Sequence, residues 1–138
     1  MRIALDAMGG DHAPREIVAG AVRAAKELRG LEKLILVGDE TSIRKELAHL
    51  SAIPDCISVF HASEVVEMHE KPAQAMRRKK DSSVSRAIDL VKEGEADAVV
   101  SAGHTGAMVA GATLKLRTLK GVSRPAIAAV MPTKDRPQ

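Results

Sequence analysis

The 138-residue sequence is poor in aromatic residues, cysteine and long apolar runs. Phe60 is its only aromatic residue, which argues against a surface that stacks nucleic-acid bases. Cys56 is its only cysteine, so no disulfide can form within the chain, as is usual in the reducing cytosol. No apolar run reaches membrane-spanning length, and the start, MRIALDAMGGDH, lacks the apolar core of a signal peptide. These features predict a soluble intracellular protein.

The residues that are present favour a folded domain, or one lobe of a larger protein. Hydrophobic residues make up 45% of the sequence, which is enough for an aliphatic core. The formal net charge of +3 does not by itself indicate a nucleic-acid partner. The sequence contains no P-loop motif, no dinucleotide-binding fingerprint and no nucleophile elbow, and its histidines do not follow a zinc-binding spacing. No cofactor and no metal are therefore predicted.

Apolar patterns alternate along the chain between strands and helices. Continuous apolar runs predict strands at 2–8, 33–38, 56–60, 96–101 and 126–131. Helical spacing predicts helices at 15–29, about 39–50, 82–94 and 105–116. Residues 61–81 show no sustained period, and we expect a long loop there. Fully apolar strands that alternate with helices predict an α/β fold in which helices cover both faces of a parallel sheet.

Three strand-to-helix loops contain residues suited to binding an anion, and such loops meet at the carboxyl edge of a parallel sheet. The first loop contains Asp6, Gly9, Gly10 and Asp11; the second contains Lys71, Arg77, Arg78, Lys79 and Lys80 and leads into Ser82 and Ser83; the third contains Ser101, Gly103, His104, Thr105 and Gly106. Glycines allow a close approach to the backbone, while cations and the free N–H groups of a helix start attract anions. Together the loops predict a phosphate site.

Each loop also has a structural interpretation that needs no ligand. The first can be a tight turn, the second a solvated basic face, and the third a close packing of helix on strand that requires glycine. His104 can donate to an anion, shuttle a proton or fill space in the loop. A phosphate site is favoured because the three loops are predicted to meet.

The segments ALDAMGGDHAP, EKPAQAMRRKKDSSVSRAIDLVKEGEADAVVSAGHTGAMVAG and RPAIAAVMPT resemble the bacterial phosphate acyltransferase family, PlsX. Because chains of that family are more than twice as long, we expect residues 1–138 to be the N-terminal portion of a single α/β catalytic unit. The resemblance implies a three-layer α/β/α fold with a mainly parallel sheet, similar to isopropylmalate dehydrogenases and phosphotransacetylases, usually in a homodimer. His104 occupies a position where the family commonly has asparagine.

The activity implied by the resemblance is transfer of a fatty acyl group from acyl-[acyl carrier protein] to inorganic phosphate. The acyl-phosphate would then serve a membrane glycerol-3-phosphate acyltransferase in phospholipid synthesis. The implied location is the cytoplasm, with the inner face of the cell membrane as an alternative. Three other interpretations stay open: acyl transfer from coenzyme A, a hydroxyacid dehydrogenase on a similar fold, and a non-catalytic anion-binding module.

We expect catalysis by positioning and charge stabilisation, because phosphate is already largely dianionic and a thiolate is a fair leaving group. The predicted catalytic residues are His104, as a donor to the oxyanion, Thr105 and Lys80. The predicted phosphate-binding residues are Asp6, Gly9, Gly10, Asp11, Lys71, Arg77, Ser82, Ser83, Ser101, Gly103 and Gly106. Within this set, the aspartates are expected to orient the glycine loop. The basic run is also expected to attract the acidic carrier protein.

Overall fold

The computed structural model describes residues 1–130, which form a four-stranded, all-parallel sheet flanked by helices. The strands are β1 (Arg2–Asp6), β2 (Lys33–Gly38), β3 (Ile57–His61) and β4 (Ala98–Ser101), and their order in the sheet is β3-β2-β1-β4. The helices are α1 (Arg15–Glu27), α2 (Glu40–Ala48), α3 (Pro72–Arg78), α4 (Ser83–Lys92) and α5 (Thr105–Lys115). The predicted α/β fold is confirmed.

The helices form two outer layers around the sheet. Helices α1 and α2 cover one face, and their apolar side chains form a core with alternate residues of β2, such as Leu34 and Leu36. Helix α4 covers the other face, against Ile35 and Val37, and α3 and α5 pack beside α4. Successive side chains of a strand point to opposite faces, so a strand buried on both sides is apolar throughout.

The predicted loop at 61–81 is wrong in part, because it contains helix α3. Pro72 occupies the first turn of α3, where its fixed φ favours a helix start and its missing N–H is not needed. The helix has seven residues, two turns at most, so it buries only Ala75 and Met76 and produces no sustained apolar period. An isolated bridge between Glu64 and Ser82 then connects the loop to the start of α4.

The predicted strand at 126–131 is also wrong over its described part. Residues 126–130 belong to no strand, and Ile127 and Val130 are 68% and 75% exposed; Met131 lies outside the described residues. A β-strand needs a neighbouring strand to which it can form hydrogen bonds. The apolar run at 126–130 has the composition of a strand, but composition does not show whether such a neighbour is present. Smaller differences concern element ends: β1 stops at Asp6, α1 at Glu27 and α2 at Ala48.

Within residues 1–130, no helix combines the length and the apolar composition that crossing a bilayer requires.

Candidate functional site

The first and third loops are joined by a hydrogen-bonded pair at the ends of neighbouring strands. Asp6 is the last residue of β1 and lies opposite Ser101, the last residue of β4. The Ser101 hydroxyl donates to Asp6 Oδ2 over 2.7 Å, and the backbone N–H of Met8 donates to Oδ1 over 3.2 Å. The Asp6 side chain is buried, so these donors compensate for its loss of hydration. Asp6 therefore holds the start of its own loop and the end of β4 together.

Gly9 and Gly103 bring the backbones of these two loops into direct contact. A Cβ atom added to Gly9 would lie 2.6 Å from Asp6 Oδ2 and 2.9 Å from the Gly103 nitrogen. A Cβ atom added to Gly103 would lie 2.9 Å from the Gly9 Cα. Gly10 has φ +116°, a conformation that favours glycine, and faces Ala102 across the same contact. The glycines are thus explained by loop packing, whether or not a ligand is bound.

Ser101 and the backbone N–H of Gly103 are already engaged within the protein. The Gly103 N–H donates to Ser101 Oγ over 3.1 Å, while the Ser101 proton is directed to Asp6. To bind phosphate directly, either group would have to exchange one of these hydrogen bonds for one to the ligand. Their predicted role in phosphate binding stays a prediction, and their observed role is to shape the turn.

The start of α5 leaves two backbone donors available. His104 is the N-cap, and its carbonyl oxygen accepts from the N–H groups of Ala107 and Met108. Among residues 1–130, no acceptor pairs with the N–H groups of Thr105 or Gly106, the first two residues of the helix. Thr105 is also exposed. These donors lie at the positive end of an eleven-residue helix, which is a favourable place for an anion.

The His104 side chain connects the third loop to the second. Its Nε2 atom lies 3.2 Å from the carbonyl oxygen of Glu70. A carbonyl oxygen only accepts, so this hydrogen bond requires the ring proton on Nε2. In the neutral ring Nδ1 then has a lone pair, and it lies 3.3 Å from the position of a Cβ added to Gly106. The predicted donation from His104 to an oxyanion would therefore require a second proton on the ring, at Nδ1.

The starts of α3 and α5 are in contact beside this histidine. A Cβ atom added to Gly106 would lie 2.8 Å from Cγ of Pro72, the first residue of α3. Lys71 is the N-cap of α3, and both of its neighbours, Glu70 and Pro72, touch the start of α5. The Lys71 side chain is exposed, and no described residue forms an ion pair with it. Lys71 is thus an exposed cation at the start of α3, the helix whose first residue contacts the start of α5.

The other predicted cations differ in their surroundings. Arg77 and Arg78 are exposed on the last turn of α3, and Lys80 is exposed just beyond it. Lys79 is instead partly buried: its ammonium group donates to Glu70 Oε2 over 2.6 Å and to the Val65 carbonyl over 2.7 Å. Of the five cations of the second loop, Lys79 is therefore bound within the protein, and the other four are exposed. Asp11, in the first loop, is exposed.

The Glu70–Lys79 ion pair fixes the second loop, and the sequence analysis did not identify it. The hydrogen bond from Lys79, supported by the backbone N–H of Glu67, lowers the pKa of the Glu70 carboxyl below its ordinary value. The two residues are nine positions apart, with α3 between them. That separation matches no helical or strand spacing, so only the folded loop reveals the pair.

Ser82 and Ser83 are buried and close the second loop onto α4. The Ser82 N–H and hydroxyl both donate to the Lys79 carbonyl, over 3.3 and 2.8 Å, and the Ser83 N–H donates to the Glu64 carbonyl over 3.0 Å. Nearby, the Ser63 hydroxyl and N–H hydrogen-bond to Asp81 and lower the pKa of its carboxyl. The backbone donors predicted at Ser82 and Ser83 are thus already paired, and their phosphate role stays a prediction.

The comparison with known families identifies the chain. The family described as fatty acid synthesis protein matches it over residues 1–138. The chain belongs to this family. Curated relatives named phosphate acyltransferase are 54% identical in Pelotomaculum thermopropionicum, 56% in Desulfitobacterium hafniense and 53% in Methylococcus capsulatus, over 97%, 96% and 95% of this chain. The chain spans 38%, 39% and 39% of the lengths of those relatives.

An apolar groove lies beside α1. That groove, of about 380 Å³, lies between α1 and the β1–β4 side of the sheet and is lined mainly by apolar residues such as Leu5, Ile17 and Val100. An apolar lining offers no donors or charges to an anion. Within residues 1–130, no group of three or more His, Cys, Asp or Glu side chains is arranged to hold a metal ion.

Proposed function

We propose that the full-length protein is a phosphate acyltransferase, which transfers an acyl group from a thioester to inorganic phosphate. The observation that carries this proposal is the name of its relatives, which are 53–56% identical across nearly the whole chain. The start of α5 supports the proposal, since the N–H groups of Thr105 and Gly106 pair with no acceptor among the described residues and a helix start attracts anions.

The finer proposal is that the acyl donor is acyl-[acyl carrier protein] and that the acyl-phosphate serves phospholipid synthesis through a membrane glycerol-3-phosphate acyltransferase. The exposed cations Arg77, Arg78 and Lys80 support an acidic macromolecular donor, because a basic rim accelerates the approach of an acidic partner. A cytoplasmic homodimer is the assembly that the resemblance implies.

The proposed chemistry is substitution at the carbonyl carbon of a thioester, with phosphate as the nucleophile. A phosphate oxygen attacks the thioester carbonyl carbon, the new C–O bond forms, and the C–S bond breaks as the thiolate leaves and takes up a proton. The N–H groups of Thr105 and Gly106, the Thr105 hydroxyl and the Lys71 ammonium group would hold the phosphate. Such prearranged donors act mainly by positioning the nucleophile and stabilising charge. Asp6 and Ser101 would keep the loops in place.

The direct test measures free thiol released from acyl-[acyl carrier protein] by the full-length protein, with and without phosphate, and repeats the measurement with acyl-coenzyme A. If thiol release depends on phosphate and is faster from the carrier protein than from coenzyme A, the result supports both the acyl transfer and the carrier protein as acyl donor. Release only from coenzyme A would retain the acyl transfer and reject the carrier protein. No phosphate-dependent release from either would reject the enzyme and favour an anion-binding module.

Lys71→Gln tests the placement of phosphate. Loss of one charged donor to a bound anion is expected to raise the phosphate KM by roughly 10-fold or more. The matched control is Lys45→Gln, an exposed lysine in the last turn of α2 on the opposite face of the sheet, which should leave KM unchanged. An unchanged KM in both variants would exclude Lys71 from the site.

A further inference from the structure

Strand β4 has the sequence of an internal strand, yet it lies at an edge of the sheet. Its residues, Ala98–Ser101, include no charged side chain, and β1 is its only partner among residues 1–130. Val99 packs against the α4 side and is partly buried, whereas Val100, on the other face, is 48% exposed. A strand with apolar residues on both faces is typical of a parallel sheet that is covered on both sides. In the described chain, one face and one edge of β4 are therefore left uncovered.

The strand at the opposite edge of the sheet, β3, differs in this respect. Ser58 and His61 interrupt the apolar residues of β3, and His61 is exposed. Natural edge strands carry polar or charged residues that discourage a further strand from pairing with them. Because β4 has an uninterrupted apolar run before Ser101, its free edge lacks this protection. The sequence of β3 thus suits the edge of a sheet, and the sequence of β4 does not.

The apolar groove beside α1 continues from the uncovered face of β4. Its volume is about 380 Å³, with Leu5 and Val100 on the sheet side and Ile17 and Leu28 on the α1 side. Leu28 is 54% exposed, so the outer part of the groove is open. One end of the groove reaches Ser101, in the third loop. Apolar surface of this kind is stabilised when another apolar group covers it.

The group that covers this region needs two properties. It has to supply N–H and C=O groups to the free edge of β4, which a small apolar molecule does not have, and apolar side chains to the groove. A polypeptide strand has both. The rest of the same protein is the favoured source, because a covalently joined segment is present at a far higher effective concentration than a separate molecule. The match to the Pelotomaculum thermopropionicum relative covers 38% of that protein, so more than half of its length lies outside the match.

We propose that the part of the full-length protein that follows residue 138 adds a strand to the free edge of β4 and covers the groove between α1 and β4. This pairing goes beyond the proposed function and does not depend on the reaction. Because the groove ends at Ser101, the added part would also lie beside the junction of the first and third loops. The site would then be built by both parts of the protein.

Solvent access at position 100 is the first readout. On a Cys56→Ser background, Val100→Cys places a single thiol in the groove of the full-length protein. We expect this thiol to react with a maleimide roughly 100-fold or more slowly than the thiol of Lys45→Cys, because labelling in a covered groove has to wait for a local opening. Lys45 is exposed in the last turn of α2 and is the matched control. Both thiols should react equally fast in urea, and equal rates in the native protein would overturn the proposal.

A photo-crosslinker identifies the covering group. p-Benzoylphenylalanine at position 28, on the α1 side of the groove, should capture a peptide that follows residue 138 of the same chain, so the crosslinked protein should migrate as a monomer on a denaturing gel. The same group at position 45 should capture no such peptide. Capture of a second copy would indicate a dimer at this face and reject the proposal, and so would the absence of any capture. If the Leu28 variant does not fold, the thiol and exchange measurements still decide the question.

Hydrogen exchange of the unmodified full-length protein tests the strand pairing directly. In a parallel sheet, alternate N–H groups of a strand point to each of its two neighbours. Pairing on both edges should protect successive N–H groups of β4, whereas a strand paired only with β1 should show every second N–H exchanging as fast as a loop. The second pattern would overturn the proposal even if the protein is an active acyltransferase. Full protection of β4 together with the predicted crosslink would support it even if no acyl transfer is found.

Discussion

A methyl group at position 9 tests whether close contact between the first and third loops builds the site. In Gly9→Ala, the new Cβ would lie 2.6 Å from Asp6 Oδ2, 2.8 Å from Ser101 Oγ and 2.9 Å from the Gly103 nitrogen. Real Cβ atoms do not approach other atoms so closely. One of the three atoms is backbone, and the other two end short side chains that are hydrogen-bonded to each other. Asp6 is only 3% exposed and its carboxylate is held by Ser101, so the loops themselves must separate.

The magnitude follows from two terms. Overpacking a filled site costs about 1–3 kcal/mol. Separating the loops also breaks the hydrogen bond from Ser101 to a buried carboxylate, a class of bond that contributes about 1.5–3 kcal/mol. We therefore expect Gly9→Ala to lower the free energy of unfolding by about 2.5–6 kcal/mol. Because His104 follows Gly103 by one residue, phosphate affinity should fall as well.

The assay is urea unfolding of the full-length protein, combined with phosphate titration. Gly20→Ala is the matched control, since Gly20 is exposed within α1 and a Cβ there meets nothing within 4 Å. It should raise stability by about 0.5–1 kcal/mol, the usual gain on replacing glycine inside a helix. If Gly9→Ala unfolds at the wild-type urea concentration and binds phosphate normally, the loop contact does not determine the site.

Three further predictions concern the second loop and the start of α5. Gly106→Ala brings a Cβ to 2.8 Å from Cγ of Pro72, so the starts of α3 and α5 should separate, and calorimetry should show weaker phosphate binding. Asp81→Asn should lower the urea midpoint near neutral pH, and the difference from wild type should shrink below about pH 4. The reason is that the hydrogen bond from the Ser63 hydroxyl lowers the pKa of Asp81. The stabilising contribution of Asp81 is therefore present above the ordinary carboxyl pKa and is lost as the pH falls through the lowered pKa. Association with an acidic carrier protein should weaken steeply with added salt, and a flat dependence would exclude steering by the basic run.

The sheet could be predicted from the sequence because its strands are buried on both faces. Every residue of Leu34–Val37 is buried, and a short run that is apolar throughout is typical of a strand in the middle of a covered sheet. Because helices alternate with such strands along the chain, the strands are expected to be parallel, as they are in the structure. The run at 126–130 has the same composition and forms no strand in the structure, because pairing depends on which edge lies beside it. Helix α3 was not predicted because its two turns bury too few residues to produce a helical pattern of apolar residues. Pro72, at its first position, was the one clear sign of a helix start.

The site could be predicted at the level of loops but not of hydrogen bonds. Topology alone brings the ends of β1 and β4 together, so Asp6 and Ser101 were grouped correctly. Which donor pairs with which acceptor depends on differences of less than an ångström in the positions of their atoms. Lys79 was grouped with cations expected at the anion, yet it pairs with Glu70, and nothing in their spacing indicates this. His104 was singled out, but the direction of its hydrogen bond depends on the Glu70 carbonyl, which no sequence pattern shows.

Some of the predicted site residues already form hydrogen bonds within the protein and others do not. This difference reduces the number of groups expected to bind the ligand directly. Ser101, the Gly103 N–H and Lys79 already have partners in the protein, so binding a ligand through them would replace one hydrogen bond with another and gain little. A donor without a protein partner gives up only a hydrogen bond to water when the ligand arrives, and no contact within the protein is lost. In residues 1–130, the N–H groups of Thr105 and Gly106 at the start of α5 meet that condition, as does the exposed Lys71 at the start of α3. Recognition of phosphate should therefore be far more sensitive to the start of α5 than to the hydroxyl of Ser101, whose removal should act first on stability.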